Sequence, residues 1–418
     1  MHLDFSTGLV TIRRVTRPSS FRLDSSAPTP LWHVPATAAA LALSHDPVTH
    51  VTSLSSDTLI QSWSDPLAAL AWLDTAGREM LAHADDRWVG FLSYDLGRLF
   101  ESLPSLTNDD LGLPLFRFTL HRAGTPAVGS AHPAVGAAPV ARAVGGAHPK
   151  STFTRDAYEA AVARAIEYVR AGDIFQVNFA QRFAVPTPLT PRATYERLLA
   201  HSPAEYGALL DYGDFALVSN SPELFLRVTA DPGGKRRVIT RPIKGTRPRL
   251  HGMDDELRAS AKDAAELHMI IDLERNDLGR VSEIGSVRVT QPRTIEAHPT
   301  VYHGVATVEG TLRDDVGLVD LLRATFPGGS ITGAPKIRAM QIVEELEPVR
   351  RGPYCGAIGV LAPGGALELN VAIRTMIVKD GVAFVPVGGG IVADSTPAAE
   401  YEETLVKARA MFDALGVP

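Results

Sequence analysis

Apolar and polar positions change rhythm several times along the chain. After Thr154, the residues Tyr158, Ala161, Val162, Ala165, Ile166 and Val169 recur at helical spacing and stop at Gly172, which predicts a capped helix over 154–172. Residues 174–185 predict a strand. Residues 215–218 and 224–228 predict two more, with Pro222 marking a bend or an edge between them. Residues 254–278 read as one long helix, 287–289 as a strand, and 316–325 and 337–346 as helices. Residues 354–361, 369–378 and 382–387 predict consecutive strands before a closing helix over 397–415. Toward the N-terminus the pattern thins to β-like runs at 9–12, 88–94 and 116–120 and an Ala/Leu-rich helical stretch near 66–83. Strand clusters alternating with long helices predict an α/β or α+β class with antiparallel content.

From residue 124 to 150 Gly, Ala, Pro and Val dominate and Ala-His-Pro occurs twice. Such a stretch buries little, so it reads as a surface linker or insertion between an N-terminal region, 1–123, and a larger region, 151–418. A sheet can still be shared across it.

At 418 residues and 45% hydrophobic content the chain holds ample material for a large core. A net charge of −6 argues against nucleic-acid or membrane-surface partners. The single cysteine, Cys355, allows no internal disulfide and reads as a packed small residue. No apolar run approaches the ~18 residues of a spanning helix, and no signal peptide is evident. A cytoplasmic location is expected.

Four constellations could carry chemistry. Glu400, Glu403 and Lys407 share one face of the closing helix, just after Gly388, Gly389 and Gly390, whose amides could approach an anion closely. The bland alternative is a solvated face with ordinary helical ion pairs. Asp263 and Glu266 repeat the carboxylate spacing where their helix turns apolar; they could join the first set around Mg²⁺, or lie on the surface paired to Lys262 and nearby arginines. Lys244 sits in Arg-Pro-Ile-Lys-Gly-Thr-Arg-Pro-Arg, one of seven basic residues between Lys235 and Arg249. A solvated basic loop is the plain reading; a lysine depressed in pKa by neighbouring cations, and so nucleophilic, is the sharper one. Finally, residues 327–336 are glycine-rich, but Ala334-Pro335 follows Gly333 where a P-loop needs Lys-Ser/Thr, so the nucleotide reading fails. His268, His298 and His303 show no zinc spacing, and the group of Asp272, Arg275, Asn276 and Asp277 reads as structural.

In this order, the set resembles the chorismate-utilising enzymes: anthranilate synthase component I, aminodeoxychorismate synthase component I, and isochorismate and salicylate synthases. The resemblance is specific over about 154–415 and rests before 123 mainly on Gly90-Phe91-Leu92-Ser93-Tyr94-Asp95. It implies two packed, largely antiparallel sheets with helices outside. It also implies Mg²⁺ held by Glu266 and Glu403, with Asp263 and Glu400 as outer partners. Arg374, Tyr354, the glycine amides and Lys407 would hold the substrate's pyruvyl carboxylate. Glu223, in Ser-Pro-Glu-Leu-Phe, would protonate the departing hydroxyl, and His303 would lie near the ring.

Within the family, Gln176 stands where isochorismate and salicylate synthases carry a water-activating lysine, which disfavours water addition. Anthranilate synthases typically read Pro-Ile-Ala-Gly-Thr; Lys244 makes this Pro-Ile-Lys-Gly-Thr, the wording of aminodeoxychorismate synthase. The resemblance then implies chorismate as substrate, a Lys244 covalent intermediate, and a separate glutamine amidotransferase subunit supplying ammonia for p-aminobenzoate and folate synthesis. Anthranilate synthase component I and a non-catalytic chorismate-binding regulatory homologue are the alternatives.

Overall fold

The computed structural model describes residues 20–24, 39–122 and 149–417. The expected strand at 9–12 and nearly all of the Ala/Pro/Gly-rich stretch lie outside the described residues.

Among the described residues two sheets form the body, and every strand ladder in them is antiparallel. The smaller has eight strands; its main path runs Ser20–Asp24, Tyr206–Asp211, Ala216–Ser221, Thr375–Lys379, Val382–Ile391, Gln176–Pro186 and Gly333–Ala334. The larger has twelve strands. Its centre places Leu224–Ala230 beside Leu367–Val371, then Ala357–Leu361, then Arg87–Leu92. Strands from before and after the insertion thus pair directly: Ala357 opposes Leu92 and Leu361 opposes Trp88.

The sheets meet through Phe91, Ile358 and Val360 of the larger and Tyr206, Leu217 and Ile377 of the smaller, all buried in one apolar cluster. Each such side chain contributes roughly 1.5–3 kcal/mol of burial free energy. The far face of the smaller sheet is covered by the helices Pro191–His201 and Pro397–Leu415, and by Arg155–Arg170 and Lys336–Leu346. The far face of the larger carries Pro66–Asp74, Ala261–Gly279 and Leu318–Thr325. Two packed antiparallel sheets with helices outside is the architecture expected.

Several elements differ from the periodicity reading, each for a local reason. The predicted helix over 254–278 is two helices, Met253–Ala259 and Ala261–Gly279, because Ser260 turns extended and its hydroxyl accepts from the Asp263 amide at 3.3 Å. The stretch 66–83 likewise breaks at Thr75, between Pro66–Asp74 and Ala76–Glu79. The predicted strand over 369–378 is two strands in different sheets. The chain leaves Leu367–Val371 and enters Thr375–Lys379 after three residues, with Arg374 in the left-handed region at φ +49°.

A second crossing mirrors the first. Ala216–Ser221 belongs to the smaller sheet and Leu224–Ala230 to the larger, so Pro222 and Glu223 form the entire link. The two crossings hold each other: the Asn220 amide donates to the Arg374 carbonyl, and the Val371 amide to the Glu223 carbonyl, both at 3.0 Å.

Candidate active site

Around these crossings the structure gathers most of the singled-out residues. Glu223 is 4% exposed, and burial pushes its carboxyl up to about 7 against the downward pull of the Ser330 hydroxyl, Lys244, the Ile243 amide and Arg374. Arg374 is half-buried. Burial lowers its guanidinium pKa while Glu223 opposes, and its side chain makes no ion pair with a described residue. A cation in that condition is ready for an incoming anion.

Lys244 lies on the strand Ile243–Pro248, followed by Gly245 at φ +82°. Burial pushes its ammonium below the usual range; Glu266 opposes, Lys407 adds to the fall, and Glu223 and Glu403 oppose. The basic cluster of its own segment is not the cause, contrary to the sequence expectation. Arg241 pairs with Glu296, Arg247 with Glu256 and Asp263, Arg237 with Glu309, and Lys235 with Glu283, while Arg236 and Arg249 serve carbonyls. Of the seven, Lys244 alone has no hydrogen bond or ion pair among the described residues. That isolation sets it apart.

His303 is 1% exposed on the strand Val301–Thr311, with Nδ1 2.9 Å from the Thr246 hydroxyl. Burial, Arg374 and His298 hold its pKa at about 3 despite the Gly245 backbone, so the imidazole is neutral at ordinary pH.

The acidic helices face each other across Lys244. Glu403 pairs with Lys407 at 2.7 Å, and Lys407 also donates to the Gly388 carbonyl at 2.8 Å. Burial would raise the Glu403 carboxyl, but Lys407, with Lys244 and Lys262 beyond it, holds it below the ordinary value. Glu266 lies 3.9 Å from Lys262, and Lys262 in turn acts on Glu400 and Glu403. Asp263 accepts from Arg247 at 3.1 Å. The helical ion pairs of the bland reading are therefore present, with Glu403 and Lys407 exposed and Glu400 buried beside them.

Gly388, Gly389 and Gly390 belong to the strand Val382–Ile391, opposite Ala180, Phe179 and Asn178. Pairing with Thr375–Lys379 stops at Phe384. Successive residues of an antiparallel strand direct their backbone groups to opposite sides, so this glycine run has amide capacity toward an unpaired side. A Cβ at Gly389 would stand 3.2 Å from Glu400 Oε2 and 3.4 Å from Glu403 Oε1, which explains the bare backbone there. Tyr354 is buried, with Cys355, Arg351 and Glu347 as its polar neighbours; its turn joins the Arg374 crossing through the Cys355 amide on the Ala372 carbonyl at 2.9 Å. Cys355 is free and buried, as expected.

The donor set fits a hard divalent cation. Glu400 is 5% exposed; Oε1 accepts from Ser395 at 2.6 Å, but Oε2 is buried without a hydrogen-bond partner. An orphaned carboxylate oxygen in a dry site is costly unless a cation or donor meets it. Among the described residues no three His, Cys, Asp or Glu side chains converge tightly enough to hold a metal by themselves. Mg²⁺ asks less: it commonly takes one or two carboxylates and completes its shell with water and substrate.

A family model described as chorismate binding enzyme matches residues 137–413. The chain belongs to the chorismate-binding enzymes. It is similar to anthranilate synthase component 1 of Thermus thermophilus, 44% identical over 362 residues, covering 78% of this chain and 77% of that protein. It is also similar to aminodeoxychorismate synthase component 1 of Bacillus subtilis, 37% identical over 400 residues, 86% of this chain and 84% of that one. Among solved structures, anthranilate synthase component I from Streptococcus pneumoniae superimposes with a TM-score of 0.74 at 28% identity, over 97% of this chain and 95% of that one. A structure of the isochorismate synthase MenF from Escherichia coli shares the fold, with a TM-score of 0.67 at 18% identity and 96% of both chains covered. No helix among the described residues is long and apolar enough to cross a membrane.

Three groups of this candidate site were not singled out as site residues from sequence. Ser330 was hidden in a glycine stretch whose P-loop reading failed. Gln176, known only as a family discriminator, is fully buried with both amide atoms unpartnered, and its Cδ would lie 3.0 Å from a Cβ at Gly390. Glu274 had a visible signal: it falls on the stripe of Leu267, Ile270, Ile271 and Leu278, where a carboxylate is out of place.

Proposed function

We propose that this chain is the chorismate-aminating component of 4-amino-4-deoxychorismate synthase, taking ammonia from a glutamine amidotransferase partner. The observation that carries the reading is Lys244, a half-buried amine without a side-chain partner among the described residues, set among Glu223, Glu266 and Glu403. Chorismate binds with one carboxylate toward Arg374, Lys407 and the bare amides of Gly388, Gly389 and Gly390, with Tyr354 behind them. Glu266 and Glu403 would hold Mg²⁺, backed by Asp263 and Glu400; when bound, the ion supplies Lewis-acid polarisation of the ring carboxylate.

The residues then do the following. Neutral Lys244 attacks C2 of the ring diene, the double bond shifts, and the C4–oxygen bond breaks. Glu223 gives its proton to the departing oxygen, which leaves as water. Ammonia attacks C4, the electrons return, the C2–nitrogen bond to Lys244 breaks, and the proton released by the new amine restores Glu223. One water leaves for each ammonia that enters. Neutral His303 lines the ring without adding a positive charge.

A second reading, anthranilate synthase component I, is favoured by the 44% identity to the Thermus thermophilus protein. In that case ammonia itself attacks C2. Product analysis decides: the chain is incubated with chorismate, Mg²⁺ and ammonium, with and without an aminodeoxychorismate lyase. An aromatic amine only when lyase is present supports the para route; fluorescent anthranilate without lyase overturns it.

A further inference from the structure

Behind the proposed acid lies a carboxyl that the reaction scheme leaves unused. Glu274 is 2% exposed; its Oε1 accepts from the Gly329 amide at 3.2 Å, and its Oε2 is buried with no hydrogen-bond partner. Gly329 and Ser330 belong to one short turn, Gly329–Ile331, and the Ser330 hydroxyl bonds the Glu223 carboxyl. The path from Glu274 to Glu223 is therefore one backbone amide, one turn and one hydroxyl.

We propose that Glu274 is a positioning residue of the same catalytic centre, acting on Glu223 through the Gly329–Ser330 turn. The inference rests on the reading of Glu223 as the acid.

The turn has little freedom to find another anchor. A Cβ at Gly329 would lie 2.7 Å from Leu273 Cδ2 and 3.1 Å from Glu274 Oε1, so backbone and helix are already in contact. On the far side, Thr332 Oγ1 donates to the Gly328 carbonyl at 2.9 Å, and Arg351 donates to the Ile331 carbonyl at 3.1 Å. Glu274 closes the remaining side. Losing its oxygen would leave the Gly329 amide buried and unsatisfied.

The carboxyl serves the turn in its neutral form. Burial raises the Glu274 carboxyl well above the ordinary range, Asp277 raises it further, Lys336 opposes, and Glu223 raises it again. Asp277 is itself paired to Lys336, which also donates to the Thr325 carbonyl at 3.0 Å. The groups facing Glu223 are Lys244, Arg374, Cys355 and Glu274. The Glu274 carboxyl therefore keeps its proton while Glu223 loses its own, and it reaches Glu223 through the turn.

The test is chorismate consumption with saturating ammonium and Mg²⁺, followed across the pH range, for Glu274→Gln and Glu274→Ala. Glutamine keeps the acceptor for Gly329 but cannot ionise; alanine loses both. Glu274→Ala should lower kcat about tenfold on the acid side with KM for chorismate unchanged, as loosened positioning does. Glu274→Gln should restore kcat there to within about twofold and leave the basic limb in place, whereas Glu274→Ala should move that limb up by roughly half a pH unit or more, because the Ser330 hydroxyl that draws the Glu223 pKa down loses its anchor. A glutamine variant that fails to rescue, or an alanine variant whose kcat and basic limb stay in place, overturns the proposal. If the alanine protein does not fold, Glu274→Leu, which fills the space without an acceptor, is read in its place by the same two measures. Glu223→Gln separates the two levels: full turnover in that variant sinks the acid assignment, whereas loss of turnover beside unchanged Glu274 variants sinks only the present inference.

Discussion

The backbone of Gly245 rests directly on Asp263: a Cβ there would stand 2.9 Å from the Asp263 Cγ and 2.6 Å from Leu257 Cδ1. With φ at +82°, the position is closed to other residues on both conformational and steric grounds. Gly245→Ala should therefore cost about 1–3 kcal/mol by overpacking alone, more with the left-handed strain, and should displace the adjacent Lys244. Denaturant midpoints and turnover measure the two effects; an unperturbed, fully active alanine variant would show that this contact is loose.

Lys244→Ala should abolish 4-amino-4-deoxychorismate formation, because no other unpaired amine of that segment is available. Residual attack of ammonia at C2 would yield the ortho product, seen as anthranilate fluorescence. Undiminished para product in this variant removes the covalent role.

Glu403→Ala should remove both turnover and its response to Mg²⁺. Calorimetric titration of Mg²⁺ in the presence of chorismate gives a reading independent of activity: binding should weaken about 10-fold or more. The same variant frees Lys407 from its 2.7 Å partner, so Glu403→Gln serves as the milder control. An alanine variant that titrates like the parent argues that the carboxylate is not a ligand.

The pH profile should be bell-shaped. Glu223 must carry its proton, and its pKa is raised to about 7, so activity falls as pH rises through that value. Lys244 must be neutral; its pKa is lowered by burial, and activity falls as pH drops below it. His303 stays neutral down to about 3, so His303→Asn should leave both limbs in place. A limb near the ordinary histidine value that vanishes in this variant would reassign the titrating group.

Arg351→Met should be a stability mutant. Arg351 pairs with Glu347 at 2.6 Å, donates to the carbonyls of Ile331 and Asn178, and lies 4.7 Å from the Tyr94 ring centre. Breaking a buried pair of this kind costs about 3–5 kcal/mol, read as a lower denaturation midpoint. A double variant with Glu347→Leu should recover part of that loss; an additive second loss would contradict the pairing.

Element type was legible wherever the apolar pattern was long. Thr154 does cap the helix Arg155–Arg170, accepting from the Ala157 amide at 3.2 Å, and Pro222 does mark a bend. What periodicity could not reveal was where the chain changes sheet. Residues 369–378 are apolar on both sides of Ile373 and Arg374, and nothing local separates one strand from two. The strands Arg236–Arg241 and Ile243–Pro248 were hidden because their half-buried pattern is filled by arginines whose acidic partners come from distant segments. For the site, residue types and spacing identified the carboxylate faces and Lys244. The source of the lysine's depressed basicity was misread, since burial and Lys407 are contributions that only the folded chain assembles.

Glu223 and Arg374 occupy the two short links by which the chain passes between sheets, and those links are tied to each other. Any sliding of one layer over the other must drag the acid and the guanidinium along with it. Heat or denaturant that loosens the interlayer contact should thus disable turnover before secondary structure melts, making catalytic rate the most sensitive gauge of how firmly the halves of the molecule are riveted.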